Sequence, residues 1–151
     1  MKNYQQKAVE SNNNNHPRKT ALVVDYMIKN LITFKPETDI MEVVNTLINN
    51  RITGAPVLTE NKELVGLIDD KDCLRILFAS AYHNMPVDKP TVAHYMSNVM
   101  KTVSPDTDIY EVANIFLTTI YKRLLVVDDD GKLLGQISRH DVLRAIHDFN
   151  E

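Results

Sequence analysis

The residues best suited to chemistry form a polar tetrad within the segment GQISRHDVLRAI, residues 135–146. The tetrad is Ser138, Arg139, His140 and Asp141, and an apolar, helix-like run follows it directly. A hydroxyl and a carboxylate at this spacing can cap a helix, because their oxygens accept hydrogen bonds from free N–H groups of the first turn. The same residues raise the question of whether the tetrad only starts a helix or also holds a ligand.

A second copy of this segment, GLIDDKDCLRIL, lies at residues 66–77 and carries the tetrad Asp69, Asp70, Lys71 and Asp72. Aspartate caps a helix as well as serine does. An ionised Asp69 cannot donate a hydrogen bond, however, and the neighbouring acids repel a phosphate. Capping therefore explains both tetrads.

The two tetrads belong to a tandem duplication that covers most of the chain. A shift of 69 residues aligns 23–77 with 92–146 without a gap, and 18 of the 55 aligned pairs are identical. Each copy reads as strand, helix, strand, strand, helix, after a short helical lead-in. About 55 residues are few for an independent core. We therefore expect the two copies to pack sheet against sheet and complete each other.

The first long helix of each copy begins at an aspartate, Asp39 or Asp108, with a glutamate three residues later as in a capping box. Behind it, apolar residues follow the spacing of one buried helix face. These positions are Ile40, Val43, Val44, Leu47 and Ile48, repeated as Ile109, Val112, Ala113, Phe116 and Leu117. The closing helix of each copy carries a similar set, which in the first copy is Cys73, Leu74, Leu77 and Phe78.

Composition limits the classes of function. The net charge of −3 does not favour binding to nucleic acid or to an anionic membrane. Cys73 is the only cysteine and is predicted to be a small buried residue, and the five histidines lack metal-ligand spacing. We expect residues 1–19 to be a mobile polar tail, and no run is apolar enough to span a bilayer. A cytoplasmic location is the default expectation.

The duplication, taken with its motifs, resembles a tandem pair of cystathionine-beta-synthase (CBS) domains, also called a Bateman module. The resemblance rests on the motifs Tyr-Met, Pro-x-Thr-Asp-Ile, Gly54-Ala-Pro-Val57, Lys122-Arg-Leu-Leu-Val-Val-Asp128 and Gly135-x-Ile-Ser138-x-x-Asp141. It implies an α/β (α+β) fold of two β-α-β-β-α units related by pseudo-twofold symmetry. The expected boundaries are 20–83 for unit 1, 84–91 for a linker and 92–151 for unit 2.

The resemblance also implies two clefts between the units, each lined by both, that bind AMP, ADP, ATP or a related adenosyl compound. The favoured cleft is predicted to comprise Lys35, Ile40, Ile52, Thr53, Gly54, Ser138, His140 and Asp141. The resemblance implies that Ser138 and Asp141 hold the ribose there, and that a phosphate lies near the helix N-terminus. The second cleft is predicted to comprise Asp69, Lys71, Asp72, Ser104, Ile109, Tyr121, Lys122 and Arg123. The family pattern has Ser or Thr where this chain has Asp69, so the two clefts are expected to differ in competence.

The resulting prediction is a regulatory module without catalysis, cofactor or metal, which senses an adenine nucleotide, forms a homodimer and modulates an unidentified protein. The alternative is a ligand-free scaffold or dimerisation pair. An enzyme is the least favoured class, because the sequence shows no nucleophile–base arrangement, Gly-rich phosphate loop or metal cluster.

Overall fold

The structure is a computed structural model, and it describes residues 21–84 and 90–150. The predicted tail at 1–19 lies outside the described residues, as does most of the predicted linker at 84–91. Among the helices that are described, none has the length and apolar character needed to cross a membrane.

The two copies fold into the succession of elements that the duplication predicts, except that the first strand is formed only in unit 2. Unit 1 consists of α1 (Val23–Tyr26), α2 (Ile40–Asn50), β1 (Gly54–Leu58), β2 (Leu64–Asp69) and α3 (Asp70–His83). Unit 2 consists of a 3-10 turn (Val92–His94), β3 (Thr102–Val103), α4 (Ile109–Thr118), β4 (Arg123–Val127), β5 (Leu133–Ser138) and α5 (Arg139–Phe149). The predicted α/β fold of two tandem units is confirmed.

The hairpins β1–β2 and β4–β5 are antiparallel and share one register, including a shift at Val57/Leu58 and at Val126/Val127. The predicted first strand differs between the units. In unit 2 it is β3, which pairs in parallel with β4, whereas in unit 1 it is reduced to a single bridge from Phe34 to Val57.

A proline accounts for this difference. The Leu125 N–H donates to the Lys101 carbonyl at 3.2 Å in unit 2. The equivalent residue of unit 1 is Pro56, which has no N–H and cannot make this bond to the first strand.

The aspartates predicted to cap α2 and α4 do so. Asp39 accepts from the Met41 N–H at 2.8 Å, and Asp108 accepts from the Tyr110 N–H at 2.7 Å. The glutamates do not complete the predicted capping boxes, because each aspartate bonds the amide two residues on rather than three.

Each unit has its own core, and most of the predicted apolar face lies in it. Ile40, Val43 and Leu47 are buried in one core, and the equivalent residues of α4 are buried in the other. Ile48, however, is 68% exposed. At about 100° per residue, its position is about 80° around the helix from that of Ile40. Leu74 and Phe78 are also exposed, because α3 turns Cys73 and Ile76 into the core instead.

The lead-in of each unit is the short helical segment before its first long helix, Val23–Tyr26 in unit 1 and Val92–His94 in unit 2, with the residues that flank it. Each lead-in packs on the opposite unit. Val23 belongs to the unit 2 core and Val92 to the unit 1 core. The Ile109 N–H donates to the Ala21 carbonyl at 3.0 Å, and the Ile40 N–H donates to the Pro90 carbonyl at 2.6 Å. This symmetric exchange joins the units through backbone hydrogen bonds as well as through side chains.

The exchanged segments also cover the hairpins, at a glycine in each. A Cβ on Gly66 would clash with the Met96 sulfur, and one on Gly135 would lie 2.7 Å from the Ile28 carbonyl oxygen. The missing Cβ therefore allows a close approach at both positions, to a side chain at Gly66 and to the backbone at Gly135. Met27, which also contacts Gly135, packs against the unit 2 core, and Met96 packs against the unit 1 core.

Candidate functional site: the cleft beside Ser138

The Ser138 tetrad lies where β5 ends and α5 begins. Asp141 is buried, and its Oδ2 accepts from both the Ser138 N–H and the Ser138 hydroxyl, each at 2.9 Å. Its Oδ1 lies 3.5 Å from the Arg144 guanidinium. The carboxylate thus fixes the orientation of the Ser138 hydroxyl at the helix N-terminus.

The equivalent junction of unit 1 keeps the cap without the hydroxyl. The Asp72 N–H donates to Asp69 Oδ1 at 2.9 Å, and the Asp69 N–H donates to Asp72 Oδ2 at 3.2 Å. Burial, assisted by repulsion from Asp69, raises the pKa of Asp72 to about 6. Two carboxylates therefore oppose each other where unit 2 has a hydroxyl and a carboxylate.

Cys73 follows this junction and is buried, as predicted. Burial and the neighbouring Asp72, Asp69 and Asp70 raise the pKa of its thiol to about 11. A thiol in this environment is a packing residue rather than a nucleophile, because only the thiolate reacts.

Two cavities flank Ser138 on the side of the predicted favoured cleft. One has a volume of about 670 Å³ and is lined by Thr53, Lys122, Arg123, Gln136, Ser138, Arg139, His140 and Leu143. The other, of about 420 Å³, is lined by Ile28, Asn30, Leu31, Ile32, Arg51, Ile52, Thr53, Gly54, Pro56, Arg123, Gln136 and Ser138. Both volumes lie within the range of small-molecule sites.

Arg123 lines both cavities, as do Thr53, Gln136 and Ser138. Its Nη2 donates to Thr53 Oγ1 at 2.5 Å, so the guanidinium of unit 2 crosses onto unit 1. Burial lowers the pKa of Arg123, while Asp69 and Asp70 act in the opposite direction. The residue is half-buried but remains a cation, because an arginine pKa lies far above neutral pH.

The structure brings together five of the residues predicted for the favoured cleft. Ile52, Thr53, Gly54, Ser138 and His140 line the cavities, and Asp141 lies directly behind Ser138. Ile40 lies in the unit 1 core. Lys35 lines neither cavity, and its N–H donates to Thr38 Oγ1 at 3.1 Å.

The residues predicted for the second cleft do not lie together, because some line the Ser138 side and others belong to the α3 N-terminus or to the unit 2 core. Lys122 and Arg123 line the Ser138 side, whereas Asp69 and Asp72 cap α3. Lys71 is exposed in the first turn of that helix. Ile109 is buried in the unit 2 core, and Tyr121 packs against it. The Ser104 hydroxyl donates to Asp106 and lies 3.1 Å from Thr107 Oγ1.

The sequence prediction missed several lining residues, among them Gln136 and the Asn30–Ile32 segment. The sequence could have indicated Gln136, because this residue is polar in an otherwise apolar strand and replaces the Leu67 of unit 1. No sequence feature marks the segment at 30–32 as a lining segment, since its place in the cavity wall follows from the exchange of the lead-ins.

Comparisons with known proteins match this architecture. The CBS domain family model matches residues 23–79 and 92–148. The chloroplastic CBS domain-containing protein CBSX1 of Arabidopsis thaliana is 34% identical over 159 residues, which cover 88% of this chain and 67% of that protein.

Two solved structures show similar folds. CBSX2 in complex with AMP has a TM-score of 0.77 at 32% identity, covering 86% of this chain and 98% of that chain. The CBS domain pair of protein MJ0100, in complex with 5'-methylthioadenosine and S-adenosyl-L-methionine, has a TM-score of 0.71 at 26% identity, with 85% and 98% covered. The duplication, the exchanged lead-ins and the family match lead to one conclusion: the chain belongs to the CBS domain family and carries two of its domains in tandem.

Proposed function

We propose that this chain is a regulatory module that binds an adenine nucleotide or related adenosyl ligand in the cleft beside Ser138 and modulates another protein. The observation that carries the proposal is the cavity in which Ser138, backed by Asp141, meets the N-terminus of α5. Similar CBS pairs are bound to AMP or to adenosyl compounds in solved structures.

The chemistry of the cleft suits the parts of such a ligand. The Ser138 hydroxyl lies in the cavity wall and can bind a ribose hydroxyl, and the Asp141 carboxylate behind it holds that group in place. The N–H groups and dipole at the start of α5 favour a phosphate. The smaller cavity presents Leu31, Ile32 and Ile52 to an adenine ring.

A ligand in this cleft would contact both units, since Thr53 comes from unit 1 and Ser138 from unit 2. Occupancy would therefore favour one arrangement of the units over another. This differential binding supplies the physical basis for modulating a partner, and we propose no catalytic step. The cytoplasmic location and the homodimer belong to the same proposal.

Titration calorimetry with AMP, ADP and ATP tests the proposal, with Asp141→Ala as the diagnostic variant. Loss of this acceptor should weaken binding by about 1–3 kcal/mol. Asp72→Ala is the matched control, because it alters the equivalent cap of the other unit and should leave the affinity of the Ser138 cleft unchanged. Absence of binding by all three nucleotides at millimolar concentration would refute the proposed function.

The alternative, a ligand-free dimerisation pair, is favoured by exposed apolar residues at equivalent positions of α3 and α5. Leu74 and Leu143 are 67% and 68% exposed. This alternative predicts a dimer by light scattering together with a melting temperature that nucleotides do not change. A nucleotide that binds the folded state must raise that temperature by mass action.

A further inference from the structure

The carboxylate behind Ser138 is connected to the lead-in of unit 1 through one side chain, Arg144. This arginine follows Asp141 by three residues on α5, and its guanidinium lies 3.5 Å from Asp141 Oδ1. The same guanidinium lies over the Tyr26 ring, with Cζ 5.2 Å from the ring centroid, and its Nη2 donates to the Tyr26 carbonyl at 3.4 Å. Arg144 therefore contacts both the carboxylate of the cleft and the lead-in.

The lead-in is held on this side of unit 2 by further contacts. The Tyr26 hydroxyl donates to Asp148 Oδ2 at 3.1 Å. Asp148 lies one helical turn after Arg144, so α5 contacts the tyrosine both at its ring and at its hydroxyl. The Ile28 N–H then donates to the Gln136 carbonyl at 2.8 Å, and the Gln136 N–H donates in return at 3.0 Å. Because Ile28 and Gln136 line the smaller cavity, the lead-in also forms part of the cleft wall.

The repeat offers an internal comparison, because unit 1 has the arginine and the tyrosine without the same contacts. Their equivalents are Arg75 and Tyr95, but Ala79 stands where α5 has its aspartate and offers no acceptor to a tyrosine hydroxyl. Among the residues that the structure describes, Arg75 forms no ion pair and lies over no aromatic ring. Its charge acts on Asp72 only from a greater distance. The contact between lead-in and carboxylate is therefore a feature of the Ser138 side.

We infer that Arg144 is a positioning residue of the Ser138 cleft, and that it couples occupancy of that cleft to the packing of the unit 1 lead-in on α5. The inference rests on the proposed function and names the element that responds to the ligand. Arg144 pairs with Asp141 Oδ1, while Oδ2 orients the Ser138 hydroxyl. The Arg144 side chain is half-exposed, so without the Tyr26 contacts it would gain conformational freedom and leave the carboxylate less well held.

Coupling of this kind acts in both directions. A ligand that needs the oriented hydroxyl favours the state in which the lead-in is packed, and the packed lead-in raises the affinity for the ligand by the same factor. Val23, at the other end of α1, lies in the unit 2 core, and its N–H donates to the Thr107 carbonyl at 2.9 Å. A ligand beside Ser138 would therefore strengthen one of the two contacts that hold the units together.

Hydrogen exchange measured by NMR on the full chain tests the inference, with and without a saturating concentration of whichever of AMP, ADP and ATP binds most tightly. The Met27 N–H closes α1 by donating to the Val23 carbonyl at 2.9 Å. The nucleotide should slow its exchange at least about fivefold, the lower end of typical coupling factors. The Met96 N–H, which donates to the Val92 carbonyl at 2.8 Å in the other lead-in, is the internal control and should be slowed less.

Three variants locate the coupling. Arg144→Met keeps a long side chain without the charge, so it should abolish the slowing at Met27 and weaken nucleotide binding about tenfold in calorimetry. Tyr26→Phe keeps the ring and removes the hydrogen bond to Asp148, so it should reduce both effects in part. Arg75→Met is the matched control in unit 1 and should behave as the wild type. Circular dichroism establishes that each variant is folded.

The outcomes separate this inference from the proposed function. If a nucleotide binds but slows the two lead-in amides equally, or slows neither, the inference is wrong and the proposed function stands. This comparison uses the wild type alone, so it does not depend on the folding of any variant. An unchanged difference between the two amides in folded Arg144→Met would also overturn the inference. If none of the three nucleotides binds, both fail.

Discussion

Replacing Asp69 by serine should stabilise the protein near neutral pH and leave it unchanged in acid. The change converts the unit 1 junction into that of unit 2, where the Ser138 hydroxyl donates to Asp141 at 2.9 Å. In the wild type the pKa of Asp72 is raised from 3.8 to about 6, first by burial and then by Asp69. Serine would replace a repelling carboxylate by a hydrogen-bond donor.

The sign of the effect follows from the raised pKa. The folded state holds the Asp72 proton more tightly than the unfolded state. The contribution of Asp72 to the free energy of unfolding therefore falls as the pH rises from about 4 to about 6, and it is constant above pH 6. A shift of about two units corresponds to about 3 kcal/mol at most. Asp72 is only partly buried and Asp69 causes only part of the shift. The free energy of unfolding of the Asp69→Ser variant is therefore expected to exceed that of the wild type by about 1 kcal/mol above pH 7.

Urea denaturation followed by circular dichroism, at pH values from 4 to 8, measures this difference. Asp69→Ser should exceed the wild type in free energy of unfolding at pH 7.5, and the two should converge at pH 4. Ser138→Asp is the reciprocal control, because it creates the same opposition of carboxylates in unit 2 and should destabilise at high pH. Because Asp69 also attracts Arg123, the comparison should be repeated in an Arg123→Met background. A difference independent of pH, or a loss of stability in both backgrounds, would refute the reasoning.

Two further predictions concern packing. Gly135→Ala should destabilise by about 2 kcal/mol and Gly66→Ala by about 1 kcal/mol in urea denaturation. The new methyl meets the Ile28 backbone in the first case, but in the second it meets the flexible Met96 side chain. An equal loss of stability in the two variants would contradict this explanation. Cys73 should not react with a thiol reagent at pH 8 until the chain unfolds, since burial raises its pKa to about 11. Rapid modification of the native protein would count against a buried thiol.

Much of the fold was readable from the sequence because its determinants are local. The caps at Asp39 and Asp108 depend on residues within one turn, and the hairpins depend on short apolar runs joined by polar turns. Because the unit is repeated, each element could be predicted independently from both copies of the sequence. Local patterns did not indicate that Ile48 would be exposed, because the width of a buried face depends on what packs against the helix.

The candidate site was only partly predictable, for the same physical reason. Ser138 and Asp141 were predicted because the resemblance to CBS domains implies a ligand role for the closing tetrad, whereas their chemistry alone predicted only a helix cap. Their distances, and the burial of Asp141 behind Ser138, required the structure.

The sequence by itself determined that this chain is a duplication of one unit, where the helices begin, and that the two junctions differ at Asp69 and Ser138. Only the tertiary structure decided that each lead-in packs on the other unit and that Arg123 crosses onto Thr53 and the Ser138 side. These are contacts between residues far apart in the chain. Such contacts depend on how two surfaces fit together, and sequence spacing does not encode that fit.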